Sequence, residues 1–384
     1  MSTPAGIVEA WLVLLRTPGF GAATIRALLE RHGDAGAALD AARRGDPGRV
    51  ADPAAARAWL RAPDAGLIRQ DLAWLAEPGH HLLGCDDADF PALLAESPGA
   101  PAALFIVGDP SHLWWPQVAI VGSRNASQAG LATARDFART LATTGFAITS
   151  GLADGIDGAA HAAALDATTP TLAVLGTGPD VIYPARHREL AARIARHGTL
   201  VSEFPPGTPP HPSHFPRRNR IIAGLSLGTL VVEAGLRSGS LITARNASEA
   251  GRDVFAVPGS IHNPLARGCH RLIRQGAKLV ESASEVIEEL APLASRLGDA
   301  LRARLRDAPP LPGGSAPAAS PRESDPDHAR LLAALGHETL GIDELAARSG
   351  LAVEVLSPML LMLELEGTLV ASAGGYARRI DTRD

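Results

Sequence analysis

The sequence has little of several things that would settle a function class at once. Its 384 residues include two cysteines, Cys85 and Cys269, which make neither a disulfide framework nor a zinc-ligand cluster. Aromatic residues amount to 4% of the chain, so each exposed ring calls for an explanation. No stretch approaches eighteen consecutive apolar residues, which argues against a membrane-spanning helix. The opening Met1-Ser2-Thr3-Pro4 has no basic region leading into an apolar one, so no signal peptide is expected and the cytoplasm is the simplest compartment. A basic excess is also missing. The formal net charge is −5, whereas many nucleic-acid-binding domains are strongly basic. Any polyanion surface must therefore be a local concentration of cations, and Lys278 is the only lysine. The cations are arginines, whose guanidinium groups stay charged and fork onto phosphate oxygens.

What is present is an aliphatic globular chain, 46% hydrophobic and long enough for two or three domains. Residues 1–66 read as short helices. Ile7, Trp11, Leu14 and Leu15 fall at helical spacing, and Pro18-Gly19-Phe20-Gly21 separates them from Ile25, Leu28 and Leu29. This resembles a helix-hairpin-helix whose turn offers N–H groups to phosphate; a small helical packing module fits equally well.

Residues 67–290 alternate continuous apolar runs (118–121, 147–149, 171–175, 199–202, 229–232, 254–257 and a weaker 278–280) with helical stretches. That alternation predicts a doubly wound, mostly parallel, Rossmann-like sheet, with function in the loops at the carboxyl ends of its strands. Residues 291–326 turn to Pro, Ala, Gly, Ser and Arg and read as a linker. In 327–384, three short helices (328–335, 342–349 and 353–366) and a two-strand tail predict a winged helix. Its recognition helix carries Glu354, Glu364 and Glu366 and no basic residue, which favours protein contact or packing over duplex DNA.

Several strand-end loops have the composition of anion sites. Gly122-Ser123-Arg124 follows a strand and precedes a helix, so a glycine, a helix start and a cation converge; the alternative is a tight turn with a surface arginine. In the loop 150–161, Asp157 and His161 share a helix face, but two ligands do not make a metal site, and hydrogen-bonded structural roles are expected for them. The run 211–222 places Arg217, Arg218, Asn219 and Arg220 in the first turns of a helix. Cations there oppose the dipole and repel one another, so an anion is expected to offset them. Phe215 beside them is placed to stack on a base. The alternative makes Phe215 a core residue and the arginines partners of Glu203. Ser238-Gly239-Ser240 after the strand 229–232 forms another small-residue loop, and Gly276-Ala277-Lys278 closes the series.

Taken in order, these stretches are similar to the DNA-processing protein A (DprA/Smf) family. The resemblance rests on Val-Ala-Ile-Val-Gly-Ser-Arg (118–124), Ser-Gly-x-Ala-x-Gly-Ile-Asp-x-x-Ala-His (150–161), Phe-Pro-x-Arg-Asn-Arg-Ile-Ile-Ala-Gly-Leu-Ser (215–226), Val-Val-Glu-Ala (231–234), Ser-Gly-Ser-Leu-Ile-Thr-Ala (238–244) and Val-Pro-Gly (257–259). One departure is His270, where the family commonly has asparagine. The resemblance implies an extended Rossmann fold, a homodimer, binding of single-stranded DNA without base specificity, and delivery of that DNA to the recombinase RecA during natural transformation. It implies no catalytic residue, metal or cofactor. The DNA contacts it points to are Ser123, Arg124, Phe215, Arg218, Asn219 and Arg220, and the reading adds Arg217, Ser238, Gly239 and Lys278.

The rival is an enzyme, a nucleotide phosphoribohydrolase resembling the cytokinin-activating "lonely guy" type. Its glycine pair and following glutamate are missing after Ser238-Gly239-Ser240, so Glu233 would have to substitute. A third reading is a structural adaptor acting through the winged helix.

Overall fold

The structure is a computed structural model that describes residues 5–45, 50–167, 169–307, 330–331, 334–335, 340–351, 356, 360, 369–372 and 375–378. The chain divides into two compact units, residues 1–306 and 307–384.

The first unit opens with five helices, α1 (Ala5–Arg16), α2 (Ala22–His32), α3 (Ala35–Arg43), α4 (Pro53–Arg61) and α5 (Ala65–Leu75). Asp34, Asp52 and Asp64 set three of the starts by accepting backbone N–H bonds from the first turn, donors that a helix otherwise leaves open. The apolar faces close over Trp11, Leu14, Leu28 and Leu60, and over Ala103 and Phe105 of the sheet. α5 crosses the boundary that the sequence placed after residue 66, because its Ile68 belongs to this same cluster. Arg16 adds polar ties, at 2.5 Å to Asp71 and 2.9 Å to the Pro206 carbonyl.

Nine strands form the sheet: β1 (His80–Gly84), β2 (Ala103–Gly108), β3 (Gln117–Gly122), β4 (Ala147–Ser150), β5 (Thr171–Val174), β6 (Thr199–Ser202), β7 (Gly228–Val232), β8 (Asp253–Ala256) and β9 (Lys278–Leu279). Their order is β1-β2-β6-β5-β4-β3-β7-β8-β9, parallel from β6 to β9, with β1 and β2 antiparallel at one edge. The mostly parallel doubly wound sheet is as expected; the antiparallel pair is an addition. β1 begins with two histidines and gives no apolar run, so periodicity does not mark it.

Helices α6 (Ala92–Ala95), α7 (Gln128–Thr143), α8 (Ile156–Asp166), α9 (Arg188–His197), α10 (His214–Leu225), α11 (Ser240–Glu249), α12 (Arg267–Arg274) and α13 (Ala283–Asp307) accompany the strands. Alternate residues of each strand go to opposite faces. Ala119 and Val121 pack with Ile221, Ile222 and Ala244 of α10 and α11. Val118 and Ile120 pack with Phe137, Leu141 and Ile156 of α7 and α8, and with Leu290 of α13. Both faces are therefore buried, which is why the strands read as unbroken apolar runs.

α13 corrects one expectation, since residues 291–307 are helical although their composition reads as linker. Leu293 and Ala294 pack on the same cluster as Leu290, and this apolar anchorage carries the helix through Pro292. Residues 308–326 of the expected linker lie outside the described residues.

From β3 the chain winds outward to β6, then returns to lay β7 on the other side of β3. Such a reversal opens a crevice at the strands' carboxyl ends.

The second unit contains α14 (Ile342–Ser349), ended by Gly350 at φ 70°, and an antiparallel hairpin of β10 (Leu369–Ser372) and β11 (Gly375–Arg378). Leu331, Leu335, Leu340, Leu345, Leu356 and Leu360 are buried together, with Tyr376 of the hairpin against them. The expected wing is this hairpin; Glu354, Glu364 and Glu366 lie outside the described residues. No helix among the described residues is long and apolar enough to cross a membrane.

Candidate nucleic-acid interface

The crevice between the ends of β3 and β7 holds a cavity of about 930 Å³, lined by the loops after β3, β4 and β7 and by one face of α10. Its narrow base depends on Gly122, where any Cβ would overlap the Val232 carbonyl oxygen of the neighbouring strand. Ser123 is buried, its carbonyl accepting the Ile156 N–H and its hydroxyl the Asn125 N–H. Arg124 is exposed, its guanidinium carbon 5.7 Å from the centre of the Phe215 ring.

The floor is built around Arg218. This side chain is buried and donates to the Gly151 carbonyl at 2.6 Å and to the Val174 carbonyl, tying the ends of β4 and β5 together. Asp157 beside it accepts the Gly151 and Ala153 N–H groups. Burial pulls the Arg218 pKa down to about 10, with Asp157 opposing the shift, so the group stays charged at neutral pH. Burial raises the Asp157 carboxyl above its ordinary value, and Arg218 is the largest opposing influence. His161 meets the Thr171 hydroxyl at 2.8 Å, and burial lowers its pKa to about 3. Asp157 is thus held by hydrogen bonds at the helix start, whereas His161 is bonded through Nδ1 and its buried Nε2 has no partner. Among the described residues no group of three or more His, Cys, Asp or Glu is placed to hold a metal ion.

The wall carries two aromatic rings. Phe215 sits against Gly176, and its ring lies 5.5 Å from that of Tyr183, itself 48% exposed. α10 starts at His214, two residues before the proline expected to open it, so Phe215 already lies in its first turn. Asn219 donates to the Gly239 carbonyl at 3.2 Å, joining α10 to the loop after β7, where the Ser238 and Ser240 hydroxyls are 2.7 Å apart.

Three of the sequence-derived contacts stand apart from the cavity. Arg217 and Arg220 do not line the cavity; both donate to Glu203 Oε2, at 2.9 and 2.5 Å. Helical periodicity explains the division, since positions 215, 218, 219 and 222 share the cavity face while 217 and 220 turn away. The anions offsetting this arginine cluster are carboxylates of the chain itself, Glu203 and Asp157. Lys278 is also elsewhere, paired with Asp253 at 3.0 Å and Glu289 at 2.7 Å.

The helix start after Gly122-Ser123-Arg124, expected to offer free N–H groups, differs from that expectation. Glu233 already occupies it. Its carboxylate accepts the Ser127 N–H at 2.8 Å and the Ser127 hydroxyl at 2.6 Å, while Ser127 caps the Gly130 N–H. Asn263 donates to the same carboxylate, and Glu233 adopts φ 51° to reach it. The anion end of the α7 dipole is thus supplied internally. Glu233→Ala is expected to lower stability by about 1–2 kcal/mol, read as a reduced urea midpoint at constant slope.

Among the lining residues that the sequence reading passed over, four carry polar or charged side chains: Asn125, Tyr183, Arg237 and Arg267. Tyr183 had a signal, being one of two tyrosines in an aromatic-poor chain. The two arginines had none, because they flank their loops' glycines singly. Arg124, Arg237 and Arg267 are all exposed, and no ion pair engages them among the described residues. The one carboxylate in the lining, Asp157, faces Arg218. Nearby Asp154 is held below its ordinary pKa, chiefly by its hydrogen bond to Arg186. The cavity is therefore a net-cationic basin with aromatic walls. His270, the departure noted above, contacts the Gly259 carbonyl at 2.9 Å through Nε2 and so retains a hydrogen bond there.

Comparison with known proteins agrees along the chain. A family model described as DNA recombination-mediator protein A matches residues 81–291. A DprA-like N-terminal HHH domain matches 8–62, and a DprA winged helix domain matches 315–375. Protein Smf of Escherichia coli K12 is 46% identical over 312 residues, covering 81% of this chain and 80% of that one. Among solved structures, DNA processing protein A from Streptococcus pneumoniae matches with a TM-score of 0.66 and 38% identity, over 73% of this chain and 97% of that one. A Helicobacter pylori DNA processing protein A, described for its single-stranded DNA binding mode, matches with a TM-score of 0.51 and 28% identity, over 56% and 96%.

Proposed function

We propose that this chain, which belongs to the DNA recombination-mediator protein A (DprA/Smf) family, binds single-stranded DNA in the cavity at the ends of β3 and β7. In this reading the protein is a binder and not a catalyst. Residues 67–290 hold the strand, residues 1–66 and 327–384 are accessory modules, and a homodimer in the cytoplasm passes the strand to the recombinase RecA during DNA uptake.

The observation that carries the reading is the cationic basin. Arg124, Arg237 and Arg267 stand exposed, with no ion pair among the described residues, around a crevice whose wall is two aromatic rings. Phosphates of a strand lying across the crevice would meet the guanidinium groups, while a splayed base stacks on Phe215 or Tyr183. Neither contact reads base identity, because every base has a π-face and every nucleotide a phosphate. A duplex keeps its bases stacked inside and offers nothing to the rings. Of the sequence-derived contacts, Ser123, Arg124, Phe215, Arg218, Asn219, Ser238 and Gly239 remain in this proposal, with Arg218 acting as the floor. The phosphoribohydrolase reading requires a glutamate free for chemistry, and Glu233 is engaged by Ser127 and Asn263.

The test is fluorescence anisotropy with oligothymidylate and with a duplex of equal length. The native chain is expected to prefer the single strand. Phe215→Ala is expected to weaken single-strand binding about tenfold, within the range for one stacked base, and to leave its salt dependence unchanged. Phe215→Trp should restore it. Equal affinity for both oligonucleotides, or an undiminished Phe215→Ala variant, would reject the reading.

A further inference from the structure

Next to the strand-binding cavity lies a second one of about 580 Å³, bounded by α11, α12 and the start of β8. The two are contiguous, since Leu236, Arg237, Ser238 and Ile242 line both. Four arginines line the second cavity: Arg237, Arg245, Arg252 and Arg271. Its one lining carboxylate, Asp253, is paired with Lys278 at 3.0 Å. Arg245 and Arg271 are exposed and enter no ion pair among the described residues. Arg252 spends one nitrogen on the Leu93 carbonyl and leaves its buried Nε without a hydrogen-bond partner.

From this juxtaposition we propose that the second cavity is a phosphate site for the same single strand, which leaves the first cavity over Arg237 and Ser238 and lays its next phosphodiesters against Arg245 and Arg271. The inference rests on the functional reading above. Continuity of the lining favours a strand over a separate acidic protein, because a chain of phosphates crossing the shared Arg237 arrives at the second hollow without a break. The cavity has no aromatic residue in its lining, so here the strand is held by charge alone and its bases remain free.

The experiment compares short and long oligothymidylates, roughly 4 and 10 nucleotides within the known span of single-strand sites, on the native chain and on an Arg245→Ala/Arg271→Ala variant. The native chain should bind the longer strand about tenfold tighter, as two added exposed charge pairs allow, with a salt slope steeper by about 1.4. The variant should bind the short strand unchanged and lose the gain with length. A native chain without any gain with length overturns the second site, as does a variant that keeps it; either result leaves the cavity to another partner, such as an acidic protein surface. Failure of the native chain to bind either length would instead overturn the functional reading.

Discussion

Arg218→Met is expected to lower the unfolding free energy by about 3 kcal/mol, chiefly the cost of leaving two buried carbonyls without their charged donor. The residue looks like one more cation in a DNA-binding run, yet its side chain is buried and ties the Gly151 and Val174 carbonyls at the ends of two strands. Asp157 depends on it, because burial already raises that carboxyl and Arg218 is the main opposing charge. Methionine preserves much of the volume, so the loss reads the charge and the two hydrogen bonds. The deficit should also vary with pH. A carboxyl with a raised folded pKa binds more protons folded than unfolded, so its burial weakens stability as pH rises past the unfolded value near 3.9. Removing Arg218 enlarges that term. The variant should therefore be closest to the native chain in acid and furthest from it at neutral pH. Adding Asp157→Asn should recover part of the loss. Urea midpoints at a series of pH values check this, and a loss below about 1 kcal/mol would return Arg218 to the strand-facing group.

What the sequence disclosed, and what it concealed, follows from the range over which each signal acts. The parallel strands were legible because both faces are buried, and runs such as 118–121 carry no polar interruption. The loops at their ends were legible because close approach requires glycine, as at Gly122 against Val232. The division of the α10 arginines was not. Arg217, Arg218 and Arg220 are neighbours in sequence, but about 100° of rotation per residue sends Arg218 into the floor and the other two toward Glu203. Glu233 was hidden differently: its partner Ser127 lies 106 residues away, and neither residue signals the other locally. In α13 composition misled, since Pro292 and its alanine-rich surroundings suggested a linker while Leu293 and Ala294 hold the helix to the sheet.

The exposed arginines at the sheet's carboxyl edge are expected to meet a polyanion. The most direct measurement is the salt dependence of single-strand affinity for the native chain and for an Arg124→Ala/Arg237→Ala/Arg267→Ala variant. Each phosphate neutralised on a single strand contributes about −0.7 to the slope of log K against log salt. The triple variant should therefore flatten the slope by about 2. At physiological salt it should also lose affinity on the order of a hundredfold, at about 1 kcal/mol for each exposed charge contact. Among the described residues none of the three side chains is buried or in an ion pair, so the variant should keep a urea midpoint close to the native one. A folded variant with the native slope and the native affinity would contradict the account.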